Sequence, residues 1–236
     1  MAALRTARER VLERIEAACS RVGRDPASVT LVAVSKGVAP ERLVAAVAAG
    51  LDLFGENRVQ EAAAKIARLP SARWHLVGRL QGNKARRAAQ LFSAIESVDS
   101  LDLARRLEQV ASEMPEGLGL PWQNRLPVYL QVNVDRDPAK AGFSREALEE
   151  TLGAIAALRH LDLRGLMTVG RLVDRAEAAR PTFVRLRELS ERLRAREPRL
   201  PNGLSMGMTD DFEVAVEEGA TVVRIGRALF GERPPG

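Results

Sequence analysis

Cysteine, tyrosine, histidine and lysine are all scarce in this chain of 236 residues, and each scarcity narrows what the protein can be. A single cysteine, Cys19, excludes an internal disulfide and any cysteine-cluster metal site. It falls on the apolar stripe Leu4, Val11, Leu12, Ile15, Cys19 and Val22, which predicts a leading helix over about residues 3–22 with the thiol as a buried small hydrophobe. The two histidines, His75 and His160, do not make a zinc-ligand pattern, so no metal is expected. No uncharged apolar run approaches the roughly 20 residues a membrane helix needs, and the first residues, dense in Arg and Glu, lack the apolar segment of a secretory signal. A soluble, cytoplasmic protein with no membrane partner is expected. Aromatic residues make up only 4% of the chain, too few to offer base-stacking platforms, so the net charge of +5 does not point to nucleic acid. The arginines instead recur among glutamates in helical stretches such as 185–194, the pattern of a solvated face laced with i,i+4 pairs.

Of 36 basic residues only Lys36, Lys65, Lys84 and Lys140 are lysines. Lys36 ends the apolar run Leu31-Val32-Ala33-Val34-Ser35, where an ammonium offers something arginine cannot, the loss of its proton. Desolvation lowers a lysine pKa, and the neutral amine attacks an aldehyde to form a Schiff base. The plain alternative is a surface lysine capping a strand.

Short apolar runs alternate with amphipathic helical stretches from residue 30 onward, the pattern of a parallel sheet with crossover helices. The predicted strands are Thr30 to Val34, Leu51 to Gly55, Arg73 to Val77, Ala94 to Val98, Val128 to Val134, Leu161 to Met167, Gly203 to Ser205 and Thr221 to Ile225. Pro40 and Pro181 suit first helical turns, Thr209 or Asp210 suits a cap, and the Pro- and Gly-rich stretch Pro115 to Pro127 reads as a long loop. Eight strands close a barrel. The expected architecture is α/β, a single (β/α)8 TIM barrel spanning 1–236 as one domain, with an open doubly wound sheet as the alternative.

Barrels of this class gather their chemistry at the C-terminal strand ends. Those ends carry Lys36, Glu56 and Asn57, His75 with Lys84 beyond it, Asp99, Asn133, Met167 and Thr168, Ser205, and Arg224 with Gly226. Ser205-Met206-Gly207 and Gly226-Arg227 supply a hydroxyl and Gly-relieved backbone amides after strands seven and eight, where such barrels bind phosphate, although either glycine alone suits a plain turn. Arg224 sits in an apolar strand and needs a partner. Strand alternation gives it a face with Val222 and Gly226, as Lys36 shares one with Val32 and Val34. Pyridoxal 5′-phosphate (PLP) meets all three needs: an aldehyde for Lys36, a phosphate for Ser205 and Gly226, and a pyridine nitrogen for Arg224.

The segments Ala33-Val34-Ser35-Lys36, Phe54-Gly55-Glu56-Asn57-Arg58-Val59-Gln60-Glu61, Trp74 to Lys84, Gly165-Leu166-Met167-Thr168, Leu204 to Asp211 and Val223-Arg224-Ile225-Gly226 closely resemble, in family order, the pyridoxal phosphate homeostasis proteins, the YggS/PROSC group. The resemblance implies a fold-type III PLP-binding barrel like the N-terminal domain of alanine racemase, with Lys36 as the Schiff-base lysine. It implies that Ser205, Gly226 and the Arg227 backbone hold phosphate, with Met206 beside them, that Arg224 meets the pyridine nitrogen, and that Asn57, His75 and Met167 line the ring. It implies a carrier and regulator of PLP without an established strong enzymatic activity; PLP-requiring apoenzymes are the expected protein partners, and a monomer is the expected state. Three departures stand out: Ala139-Lys140-Ala141-Gly142 where the family often has Ser-Lys-Ser-Gly, Arg227 where a small Ser or Thr often assists phosphate binding, and the length of the Pro115 to Pro127 loop.

Two other functions compete. A PLP-dependent amino-acid racemase needs an acid on each face of the carbanion, yet Tyr129, within strand five, is the one tyrosine. The short run from Ile225 to Gly236 also suggests that the second domain of racemases is absent. The other competitor is a cofactor-free Schiff-base aldolase. Lys84 is expected to act as an auxiliary cation that draws in the anionic cofactor, against a simply solvated lysine.

Overall fold

The computed structural model describes residues 1–115, 119–171 and 173–232. Eight parallel strands pair in chain order and close into a barrel: β1 (Thr30–Val34), β2 (Leu53–Glu56), β3 (Arg73–Leu76), β4 (Ala94–Val98), β5 (Leu126–Gln131), β6 (Leu161–Met167), β7 (Gly203–Ser205) and β8 (Val222–Ile225). The open-sheet alternative is thereby set aside. A leading helix, α1 (Ala2–Arg21), precedes β1, and α2 (Pro40–Ala48), α3 (Val59–Ile66), α4 (Ala85–Leu91), α5 (Leu101–Ser112), α6 (Arg145–Ala156), α7 (Arg180–Arg196) and α8 (Phe212–Glu217) link successive strands, with α9 (Arg227–Phe230) following β8.

The strands fall where the apolar runs put them, because a strand covered by helices outside and by side chains inside must be apolar on both faces. β4 is buried at every position. The outward faces pack with the helices into the main core, which includes Trp74, Phe92, Phe183 and Phe212, while Val32, Leu53, Tyr129, Met167 and Val222 fill the barrel interior. Cys19 lies buried on the inner face of α1. Ser100 and Ser144 cap α5 and α6 through side-chain acceptance of Leu103 and Ala147 amides.

Several local expectations shift, among them β2, which starts two residues later than its apolar run and includes Glu56. β5 begins and ends earlier than the apolar pattern suggests, with Pro127 inside it, and the register to β6 slips between Val128 and Tyr129. The loop before it therefore runs from α5 to Leu126, and Trp122 anchors it by donating to the Ala89 carbonyl (2.7 Å), while 116–118 lie outside the described residues. Neither Thr209 nor Asp210 caps α8. Its N-cap is Asp211, whose carboxylate turns back to accept from the Met208 amide (2.7 Å).

Candidate active site at the barrel mouth

At the C-terminal ends of the strands a cavity of about 570 Å³ opens, lined by Val34, Asn57, Val77, Gln131, Val169, Met208, Arg224, Gly226 and Arg227 among others. Val77 and Val169 pack down onto the barrel-interior cluster and so form the cavity floor. One pleat deeper on the same inward faces lie Val32, His75 and Met167. Val32 of β1 is in register with Arg224 of β8, which confirms that both strands aim these residues at the barrel axis. Asn57 is fixed by a close backbone approach: a Cβ on Gly78 would fall 2.4 Å from the Asn57 carbonyl oxygen.

Arg224 is almost wholly buried. Its Nη2 donates to the Thr168 carbonyl (2.7 Å), its Nη1 donates to Ser205 Oγ, and Glu96 Oε2 lies 3.9 Å away. Ser205 Oγ donates in turn to Glu96 Oε2 (2.5 Å), and His75 Nδ1 hydrogen-bonds Glu96 Oε1 (2.6 Å). Burial pushes the Glu96 carboxyl up, but hydrogen bonding and charge from His75, then the charge of Arg224 and the Ser205 hydroxyl, outweigh it and hold the pKa below the usual carboxylate value. An ionised carboxylate only accepts, so the His75 proton sits on Nδ1. Burial also lowers the Arg224 pKa, opposed by Glu96 and Asp211. A guanidinium keeps its charge through such a shift.

Lys36 is placed differently from expectation. β1 ends at Val34, and the chain turns through Ser35 to Val38, with Gly37 at φ 71° and the Val38 amide bonded to the Ser35 carbonyl (2.9 Å). Lys36 therefore rides on the turn at the rim and is exposed, two residues past the cavity-lining Val34. The apolar run ends before Lys36 and so does not by itself bury the amine.

Other predicted positions divide into lining and supporting residues. Asn57, Arg224, Gly226 and Arg227 line the cavity. His75, Met167 and Ser205 form the layer beneath it, and the Ser205 hydroxyl is already engaged by Glu96 and Arg224. Met206 is a correction: its side chain is fully buried in the core outside the barrel, and its amide donates to the Val222 carbonyl (3.1 Å), so neither is free for a ligand. Gly226 is the N-cap of α9, and neither its own amide nor that of Arg227 donates to a backbone acceptor among the described residues, as the start of a helix dictates. The Arg227 side chain pairs with Asp210 and, at 3.5 Å, with Glu232, which gives it a bracing role at the rim. His160 lies apart, at the opposite end of the barrel, where its ring bonds Glu108 (2.9 Å).

Two groups escaped the sequence reading. Glu96, a charge inside the apolar run of β4, carries the same local signal as Arg224 and was overlooked, while its partners, on β3, β7 and β8, have no neighbour in sequence to reveal them. Lys65 also carries one: Val59, Ala62 and Lys65 recur at i+3 spacing and form the buried face of α3. Lys84 lies in a neighbouring groove of about 750 Å³ with Arg58, Arg79 and Arg106, and this groove shares Asn57 and Arg79 with the mouth cavity.

Residues 9–234 match the family model for the alanine racemase N-terminal domain. The chain is 41% identical over 229 residues to the pyridoxal phosphate homeostasis protein of Aquifex aeolicus, covering 95% of this chain and 96% of that one. It is 43% identical to that of Pseudomonas aeruginosa, covering 96% and 94%. Among solved structures, PipY of Synechococcus elongatus with PLP bound superimposes at TM-score 0.80 and 40% identity, covering 94% of this chain and all of the other. Alanine racemase of Corynebacterium glutamicum shares the fold at TM-score 0.71 and 15% identity, with this chain covering 62% of it.

Proposed function

Because this chain belongs to the pyridoxal phosphate homeostasis proteins, a family built on the alanine racemase N-terminal barrel, we propose that it binds PLP at the barrel mouth and acts in intracellular PLP homeostasis, with Lys36 holding and releasing the cofactor. One observation carries the reading. A cavity of about 570 Å³, within the roughly 300–1,000 Å³ range of small-ligand sites, brings together a buried guanidinium and two backbone amides without backbone acceptors, and the exposed Lys36, though not part of its lining, follows the lining Val34 by two residues.

That donor set fits PLP. The Gly226 and Arg227 amides suit a phosphate, Arg224 suits a pyridine nitrogen, and Asn57 lines the wall with His75 and Met167 beneath. Bound PLP supplies an aldehyde for reversible Schiff-base exchange with a primary amine. Arg224, permanently charged and already held by Thr168 and Ser205, disfavours a proton on a facing ring nitrogen, which weakens the electron sink that carbanion chemistry requires. Tyr129, in the barrel interior, is pushed to a higher pKa mainly by burial, and so is a poor proton donor for racemisation. These features favour a carrier over a racemase.

The test is a visible spectrum of the purified protein with PLP, before and after borohydride, followed by mapping of the modified residue. Labelling of Lys36 is expected; a colourless, unmodified chain, or label elsewhere, overturns the reading. We extend the proposal to a cytoplasmic monomer that passes PLP to apoenzymes, consistent with the lack of any membrane-crossing helix among the described residues. Light scattering and reactivation of a PLP-free enzyme check those two points.

A further inference from the structure

Directly behind the Lys36 turn, between the barrel wall and α3, lies a buried ion cluster with no contact to the mouth cavity. Lys65 is only 4% exposed. Its ammonium donates to the Ser35 carbonyl (2.7 Å), Glu56 Oε1 (2.6 Å) and Glu61 Oε1 (2.7 Å), which uses all three protons. Glu61 Oε1 also accepts from the Gly37 amide (2.7 Å), and Ser35 Oγ donates to Glu56 Oε1 (2.6 Å). The residues on both sides of Lys36 are therefore tied to one set of charges, while the Lys36 side chain makes no hydrogen bond among the described residues. Glu56, fully buried, directly precedes Asn57, so the cluster also fixes the position from which Asn57 enters the cavity wall.

A buried ion group of this kind is a poor way to gain stability, because desolvation offsets most of the attraction. What it does provide is geometry. The three donor directions of one ammonium fix β1's end, β2's end and α3 relative to each other. The Glu61–Gly37 bond then holds the one residue of the turn whose φ of 71° leaves the strand path.

We propose that Lys65, with Glu56 and Glu61, is a positioning residue for Lys36: it locks the Ser35–Lys36–Gly37 backbone at the rim so that a freely moving amine is always presented at the same place above the cavity. This rests on the proposed role of Lys36. Lys65 itself does not compete for an aldehyde, since its amine is held between two carboxylates.

Glu61→Ala cuts the Gly37 tie without stranding a buried charge, since Glu61 is 29% exposed and Glu56 still pairs with Lys65. Glu61→Gln keeps an acceptor oxygen and serves as the conservative rescue. In the cofactor-free protein, amide exchange at Gly37 is expected to rise about tenfold in Glu61→Ala, the worth of one hydrogen bond to a charged group, and to return towards wild type in Glu61→Gln. With PLP added, the rate of borohydride trapping at Lys36 is expected to fall by a similar factor in Glu61→Ala and to recover in Glu61→Gln. Lys65→Met is expected to show larger effects in the same direction, but the argument stands on the Glu61 pair if that variant does not fold. If wild type traps at Lys36 while Glu61→Ala matches it in trapping rate and in Gly37 exchange, with or without a lower melting temperature, the cluster is structural glue and the proposal is overturned. Failure of wild type to trap at Lys36 would instead sink the underlying PLP reading and leave the Gly37 exchange result to judge the clamp.

Discussion

The two sides of the barrel mouth are built on opposite principles. At β7 and β8 the side chain is fixed: Arg224 is buried and bonded to Ser205 and Thr168, with Glu96 and His75 behind it. At β1 the main chain is fixed and the side chain is free, with Ser35 and Gly37 tied to the Lys65 cluster and Lys36 exposed between them. A recognition charge that never moves costs no reorganisation when a ligand arrives. In the role proposed for Lys36 an amine that bonds and lets go would benefit from freedom, because the up to roughly 2 kcal/mol of rotamer entropy a lysine loses on capture would favour its release.

Removing the arginine is the strongest way to break this contrast. Arg224→Met leaves Glu96 buried without its guanidinium and should lower unfolding free energy by about 3–5 kcal/mol in urea titration. Gly207→Ala attacks the same side through the backbone: φ is 92° there and a Cβ would sit 2.6 Å from that of Ala215, so a loss of about 1–3 kcal/mol is expected.

Acid sharpens the comparison, because the two buried glutamates have opposite signs. Glu96 has a folded pKa below its unfolded value, so its contribution is present above about pH 4.3 and is lost as pH falls through the folded pKa. Glu56 has its pKa raised, chiefly by burial and against the pull of Lys65 and Ser35, so it destabilises the fold as pH rises through the folded pKa. Urea midpoints measured from pH 7 down to 3 should therefore fall less steeply in Glu96→Gln than in wild type, and more steeply in Glu56→Gln. At the other extreme, Lys36→Ala should change stability by less than about 0.5 kcal/mol, since an exposed, unbonded side chain holds nothing together, yet abolish borohydride trapping. Smallest of all, Lys84→Ala should slow PLP association about twofold at low salt and not at all at 0.5 M salt, where surface charge is screened; equal rates at both would discard the groove as an attractor.

What the sequence revealed follows the same divide. β1, β4, β6 and β7 coincide with their apolar runs, and Arg224 was readable because a charge among Val and Ile residues demands an explanation. β5 was misplaced because Pro127 reads as the end of a loop, while the strand begins at Leu126 and takes the proline as its second residue. The exposure of Lys36 was not legible either: alternation extends a strand's face only while the strand continues, and it stops at Val34. Nor could Met206 be assigned, since its inward or outward direction depends on how β7 meets Val222.

The clasp between α1 and α8 has a consequence for synthesis. Arg14 of α1 grips Glu213 of α8 with two bonds of 2.8 Å and stacks 4.4 Å over the Phe212 ring, and β1 closes the barrel against β8. Arg14 and Glu213 stand 199 residues apart, so α1 and β1 emerge from the ribosome long before the elements they pack against. Barrel closure must therefore wait until β8 has been made, and a chain cut short of Val222 would carry Lys36 with neither Arg224 nor the α9 amides to complete the mouth.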